Sequence, residues 1–302
     1  MMDMGLLKVF QAVAQEGSIS KAAQSLNYVQ SNVTARIQQL EQELKTPLFY
    51  RHSRGITLTS AGQTFMEYTV KILSLLDEAK QAVLDSPVPK GAITVGSDTT
   101  AAVRLPAILS TYRGCYPDVE VHLQVGRAGE LIDSVLQHSL NGAFVDGPVE
   151  HPEIVQELLI HERIGLVIPD SIDYQGIRSI HDKTLLILNA ECLYRTKLEH
   201  WLAEEGCRLG KVMEFGTMEG LLGCVKAGIG YAVLPLSYFT RMNVTEGIRC
   251  YPFPEKYAEV PTVFIRRRDL YITSAFREFI EELKAGLPEA VSGADLTAAE
   301  SG

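Results

Sequence analysis

Cysteine is sparse and dispersed: Cys115, Cys192, Cys207, Cys224 and Cys250 contain no Cys-x-x-Cys pair. Such spacing argues against a zinc site or a disulfide framework and leaves buried or unpaired thiols. Histidine is also scarce, with seven residues and no His-x-x-x-His or His-Glu-x-x-His pattern, so no metal site is expected. The chain lacks a Gly-x-Ser-x-Gly elbow, a phosphate-binding Gly-Lys-Ser/Thr loop and a strand-linked Gly-x-Gly-x-x-Gly. Those absences set aside the common α/β enzyme classes, and neither an enzyme activity nor a cofactor is expected. No run of 18 or more apolar residues occurs, and no basic segment followed by an apolar block opens the chain. A cytoplasmic protein without a membrane span is the expectation.

Positive charge is in deficit overall, with 28 Lys and Arg against 37 Asp and Glu, a net of −9. Residues 21–60 run the other way: Lys21, Arg36, Lys45, Arg51 and Arg54 face only Glu41 and Glu43. One basic block on an acidic chain suits a DNA-contacting unit joined to something that does not touch DNA.

That block has a pattern. A helix capped by Ser18 or Ser20 buries Ala22, Ala23 and Leu26, and Asn27 tolerates the left-handed backbone that ends it. From Gln30 to Leu44, apolar residues fall at Val33, Ile37, Leu40 and Leu44, one helical stripe and no strand alternation. The opposite face offers Gln30, Ser31, Thr34 and Gln38, flanked by Asn32 and Arg36. Amides and hydroxyls there suit base edges in the major groove, and Arg36 suits phosphate. A polar outer face alone would fit any surface helix. The continuation decides: Leu48-Phe49 anchors a core, and Arg51-x-x-Arg54-Gly55 forms a basic turn between two short strands.

The ordered set Phe10, Gly17-Ser18, Ala22-Ala23, Leu26, Val33, Ile37, Leu40-Glu41, Leu44, Pro47-Leu48-Phe49, Arg51, Leu58-Thr59 and Ala61-Gly62 resembles the N-terminal winged helix-turn-helix of LysR-type transcriptional regulators. Ala35 departs from the pattern, since many members carry a larger polar or basic residue there. The resemblance implies promoter DNA as a partner, with Ser18, Gln30, Ser31, Asn32, Thr34, Arg36, Gln38, Arg51 and Arg54 as the contact set.

A long helix is predicted over Ser60–Leu84, because Phe65, Tyr68, Ile72, Leu75, Leu76, Ala79 and Val83 recur at helical spacing without a proline. A rod of about 25 residues spans roughly 37 Å and cannot bury its stripe on one small domain. Pairing with the same helix of a second chain would cover it and present two reading helices to one face of a duplex. The family likeness implies a homodimer and further assembly to a tetramer. Ser86-Pro-Val-Pro-Lys-Gly91 then reads as a linker.

Beyond it the pattern is α/β. Strands are expected at Ala92–Gly96, Val119–Val125 and Gly142–Val145, with helices over Val103–Tyr116 and Gly129–His138, a β-α-β-α-β order that implies a mostly parallel sheet. A second unit offers strands at Ile164–Ile168, Leu185–Leu188, Val212–Phe215, Tyr231–Leu234 and Val260–Arg266, and helices near Tyr194–Gly206, Met218–Ala227 and Ser274–Ala285, the last returning to the first lobe. Two lobes leave a cleft at the carboxyl ends of their strands. The whole is a winged helix-turn-helix (1–59), a linker helix and hinge (60–90), a two-lobed α/β effector domain (91–286), similar to bacterial periplasmic binding proteins, and a flexible tail (287–302).

For a small-molecule effector, the groups at helix starts are Ser97, Thr99 and Thr100 after the first strand, Cys192 and Arg195 in the second lobe, and Thr217, with Arg127 at the near edge. The family likeness singles out Thr99 and Thr217. Serine and threonine at helix starts also serve simply as caps. Asp98 and Asp146 oppose a plain anion site, so the effector stays open. An α/β enzyme or a solute-binding protein with secondary DNA binding is the alternative.

Overall fold

The computed structural model describes residues 2–52, 55–99, 101–103, 105–188, 193–242 and 246–286. Arg54, Thr100, Cys192 and the segment 287–302 lie outside the described residues.

The chain opens with α1 (Met4–Glu16), capped by the Asp3 carboxylate, which accepts from the Leu6 amide at 2.8 Å, and closed by Gly17 at φ +59°. Helix α2 (Ile19–Ser25) is capped by Ser18, and Asn27 turns the chain at φ +55°. Helix α3 (Gln30–Leu44) buries Val33, Ile37 and Leu40. Strands β1 (Phe49–His52) and β2 (Gly55–Leu58) pair antiparallel, with Arg51 opposite Ile56. Phe10, fully buried, packs 5.2 Å from Phe49 and 5.0 Å from Phe65 and centres the small core of this head. Helix α4 (Ser60–Leu84) starts at Thr59, whose hydroxyl accepts from the Gly62 amide. A side chain at Gly62 would place its Cβ 2.1 Å from the Leu48 carbonyl, so only glycine lets α4 meet the wing. Further along, α4 buries only Thr69 and Leu73 and leaves Tyr68, Ile72, Leu75, Val83 and Leu84 exposed.

The first lobe runs β3 (Gly91–Ser97), α5 (Leu105–Cys115), β4 (Val119–Val125), α6 (Ala128–Leu136) and β5 (Gly142–Asp146), with β3 parallel to both neighbours. Strand β6 (Ile154–Pro169) then passes into the second lobe. There follow β7 (Thr184–Ile187), α7 (Leu193–Glu204), β8 (Val212–Glu214), α8 (Met218–Lys226), β9 (Gly230–Pro235), α9 (Leu236–Met242), β10 (Ile248–Pro252) and α10 (Glu255–Ala258). Strand β11 (Glu259–Arg267) returns the chain to the first lobe, where α11 (Ser274–Gly286) packs on α5. The expected return of the last helix is sealed by Tyr112, whose hydroxyl donates to the Ala275 carbonyl at 2.7 Å and whose ring meets Phe279 edge-on.

The strands of the expected β-α-β-α-β unit are parallel, as that order implies, and the sheet order β4-β3-β5-β11-β6-β9-β7-β8, with β10 on β6, adds antiparallel strands between the two lobes. Each lobe keeps a parallel portion, but β6 and β11 are antiparallel to their partners and to each other. They are the two crossings between lobes. Strand β6 also begins ten residues before the predicted Ile164 start, because Ile154–Arg163 alternates buried and exposed positions against β11 while carrying Glu157, His161, Glu162 and Arg163. Charge at a crossing hides a strand that apolar alternation would reveal.

Candidate nucleic-acid interface and ligand cleft

On α3, Gln30, Ser31, Asn32 and Gln38 are exposed along one side. Val29 supplies no side-chain cap and the first turn carries no acid, so the positive end of the helix is open to an anion such as phosphate. Thr34 is half-buried, and its hydroxyl donates to the Gln30 carbonyl at 3.0 Å. Arg36 donates from Nε to Asn32 Oδ1 at 3.0 Å and lies 5.6 Å from the Tyr28 ring centre, so Asn32, Arg36 and Tyr28 form one cluster. Tyr28, absent from the sequence-based contact set, is thereby placed beside it. Ser18 caps α2 by accepting from the Lys21 amide at 3.4 Å. Arg51 stands exposed on the wing. Glu41, part of the ordered set that carries the resemblance, fixes the wing to α3 by accepting from the amides of Leu48 and Phe49 at 2.8 and 3.2 Å.

A cavity of about 680 Å³ opens between the lobes at the ends of their strands. Asp98, Thr99, Arg127, Glu130 and Asp146 line it from the first lobe. The second lobe supplies Leu186, Leu188, Tyr194, Arg195, Glu214, Phe215, Leu221 and Leu234, among others. Thus Thr99, Arg127 and Arg195 meet on one cavity. Ser97 is fully buried and donates to the Asp98 carbonyl, and Thr217 caps α8 by accepting from the Gly220 amide at 3.2 Å; neither is among the cavity-lining residues.

Hydrogen bonds cross the cleft. Arg127 donates to Glu214 Oε1 at 3.1 Å, and the Tyr194 hydroxyl donates to Asp146 Oδ1 at 3.4 Å. Burial first, and then the neighbouring Asp98 carboxylate, push the Asp146 pKa well above the usual carboxylate range. Arg195 donates to Glu199 one turn on, at 2.8 Å. Residues such as Glu214 and Asp146 carry no sequence signal of these roles, because their partners lie 87 and 48 positions away.

The far end of α4 is tied to the first lobe. Glu78 accepts from Arg267 Nη2 at 2.6 Å and from the Tyr271 amide at 3.1 Å, with His138 Nδ1 at 3.4 Å. Asp85 accepts from the amide and hydroxyl of Ser274. Burial raises its pKa, but the Ser274 bonds outweigh that effect and hold the carboxyl below its ordinary range. Among the described residues no group of three or more His, Cys, Asp or Glu is arranged to hold a metal ion, and no helix is long and apolar enough to cross a membrane.

A winged helix-turn-helix joined by a long helix to a two-lobed α/β domain with a central cleft defines the class of one-chain, two-module transcriptional regulators. Residues 4–63 match the model for the bacterial regulatory helix-turn-helix protein, lysR family, and residues 87–288 match the LysR substrate binding domain. The chain belongs to the LysR family. It is 47% identical over 287 residues to the HTH-type transcriptional regulator GltR of Bacillus subtilis (strain 168), covering 94% of this chain and 96% of that protein. The HTH-type transcriptional regulator CzcR of Bacillus anthracis is 46% identical over 283 residues, covering 94% and 97%. In fold the chain is similar to full-length CbnR solved with its target DNA (TM-score 0.70, 22% identity, 94% of this chain and 100% of that one) and to a full-length OxyR variant of Pseudomonas aeruginosa (TM-score 0.68, 20% identity, 95% of each).

Proposed function

We propose that this LysR-type transcriptional regulator binds promoter DNA as a homodimer or homotetramer, reads base edges with α3, grips phosphate with Arg36 and the wing, and changes transcription when a small molecule occupies the inter-lobe cleft. The cavity of about 680 Å³, bridged by Arg127–Glu214 and Tyr194–Asp146, carries the reading. A ligand that favours one lobe closure shifts the population of two arrangements, and the ties at Glu78 and Asp85 pass that shift to α4. Bases are read by Gln30, Ser31 and Thr34, with Asn32 and Gln38 beside them. Thr99, Arg127 and Arg195 face the ligand. The exposed apolar residues Tyr68, Ile72 and Leu75 on α4 support pairing of two chains. The fold of the DNA-bound CbnR supports the docking mode, and the named relatives support a regulator that works in the cytoplasm without an enzyme activity.

Selection of bound duplexes from a random pool, followed by a salt titration of the winner against a scrambled control, tests the reading. Recovery of a two-fold site whose affinity falls steeply with salt is expected. Absence of enrichment over the scramble would overturn it.

A further inference from the structure

Asn32 and Arg36 stand one turn apart on the same face of α3, and Tyr28 stands just before the helix begins. Helical side chains tilt toward the N-terminus, so the Arg36 head group reaches back over the turn that precedes it. There it is held on several sides. Its Nε donates to Asn32 Oδ1 at 3.0 Å, and its guanidinium carbon lies 5.6 Å from the centre of the Tyr28 ring. Beside it runs the first turn of α1, where a Cβ added to Gly5 would stand 2.9 Å from Arg36 Nη1. Glycine leaves the gap that the guanidinium occupies. The Asp3 carboxylate next to that gap is engaged as the α1 cap, accepting from the Leu6 amide at 2.8 Å.

With Nε engaged, arginine still offers the N–H groups of its Nη atoms, a planar fork that matches the oxygens of a phosphate. A loose arginine gives up side-chain freedom when that fork engages, and one already held gives up less. Taking Arg36 as a phosphate contact, as proposed above, we infer that Tyr28, Asn32 and Gly5 are positioning residues that set its guanidinium in place before DNA arrives. Asn32 then differs in kind from Gln30 and Ser31. A bidentate adenine contact uses both the oxygen and the nitrogen of an asparagine amide, and the Asn32 oxygen is turned to Arg36. Its influence falls on grip and not on sequence choice. Tyr28 acts through the face of its ring, which attracts the cation without help from the hydroxyl.

Titration of the full-length protein with the duplex recovered by selection and with its scrambled control, over a range of salt, tests the assignment through double-mutant cycles. Asn32→Ala and Tyr28→Leu should each weaken both duplexes by about three- to tenfold and move the salt slope toward that of Arg36→Ala. Neither should add a further loss in the Arg36→Ala background. Tyr28→Phe should recover most of what Tyr28→Leu loses. Gly5→Ala separates positioning from folding: alanine is the better helix former, so α1 gains stability while the crowded guanidinium shifts and affinity for both duplexes falls. Losses that simply add to that of Arg36→Ala would overturn the inference and leave Arg36 on phosphate. A loss confined to the selected duplex in Asn32→Ala would overturn it too, making Asn32 a reader of bases. Unchanged affinity and salt slope in Arg36→Ala would instead overturn the phosphate contact on which the inference rests.

Discussion

The two working faces of this regulator have opposite electrostatic designs. On the head, polar side chains stand exposed on one helix, near basic residues, with few acids among them. In the cleft, carboxylates outnumber guanidiniums among the described lining residues, and Asp146 is largely withdrawn from water. Exposed charge acts over a distance and yields to salt, which suits a surface that must find and slide along a polyanion. Charge in a confined cleft is screened less and selects by contact, which suits discrimination between small molecules. One chain can carry both because α4 keeps the two fields apart.

The largest expected effect breaks the head alone. Phe10→Ala should cost about 3–5 kcal/mol, because a fully buried ring that meets Phe49 and Phe65 leaves a cavity. Urea denaturation followed by a probe in each domain should show the head melting early and the two-lobed domain unchanged; a common shift of both would mean that the domains unfold as one unit. Next come the reading residues. Gln30→Ala should narrow the gap between specific and random DNA by about 1–3 kcal/mol, while Arg36→Ala should weaken both and lower the salt slope by about one. Equal losses on the two DNAs for Gln30→Ala would remove it from base reading.

The cleft should respond to pH through Asp146. Asp146 has a folded pKa raised above its unfolded value near 4, so the folded state holds the extra proton and stability falls as pH rises from about 4 through the raised value. Asp146→Asn removes that loss. It should raise the melting temperature at pH 8 by about 2–4 °C, with no gain at pH 4; an equal gain at both pH values would point to packing instead of charge. The smallest effect belongs to the Arg127–Glu214 bridge, whose side chains are 60% and 43% exposed. Arg127→Ala should cost only about 0.2–1 kcal/mol, yet scattering profiles should show a wider lobe opening. Unchanged profiles would show that the bridge does not hold the lobes.

Local pattern made the head legible. The 4-3-4 spacing of Val33, Ile37, Leu40 and Leu44 defines α3 from Gln30 to Leu44, and the uninterrupted stripe defines α4 from Ser60 to Leu84. Much of the two-lobed domain was equally readable, strand β4 at Val119–Val125 included. The first half of β6 was not, since its charged residues conceal the alternation, and β10 is drawn by its pairing with β6 more than by its own short sequence. In the cleft, residue type at a helix start does not say where a hydroxyl is spent. Thr217 and Ser97 are engaged by their own backbone neighbourhood, whereas Thr99 opens to the cavity. Asp98 and Asp146, which the sequence presents as obstacles to an anion, become a shared wall only when β3 and β5 are laid side by side.

The carboxylate of Glu78 has a mechanical meaning. Gripped by Arg267 and the Tyr271 amide, it works as a fulcrum on a helix that continues back to Ser60 beside the wing. Eighteen residues of α-helix span about 27 Å. A tilt of roughly ten degrees at that fulcrum would carry the head about 5 Å, more than the ~3.4 Å between successive base pairs. Slight motion inside the two-lobed domain would thus be geared up to the scale on which DNA is read.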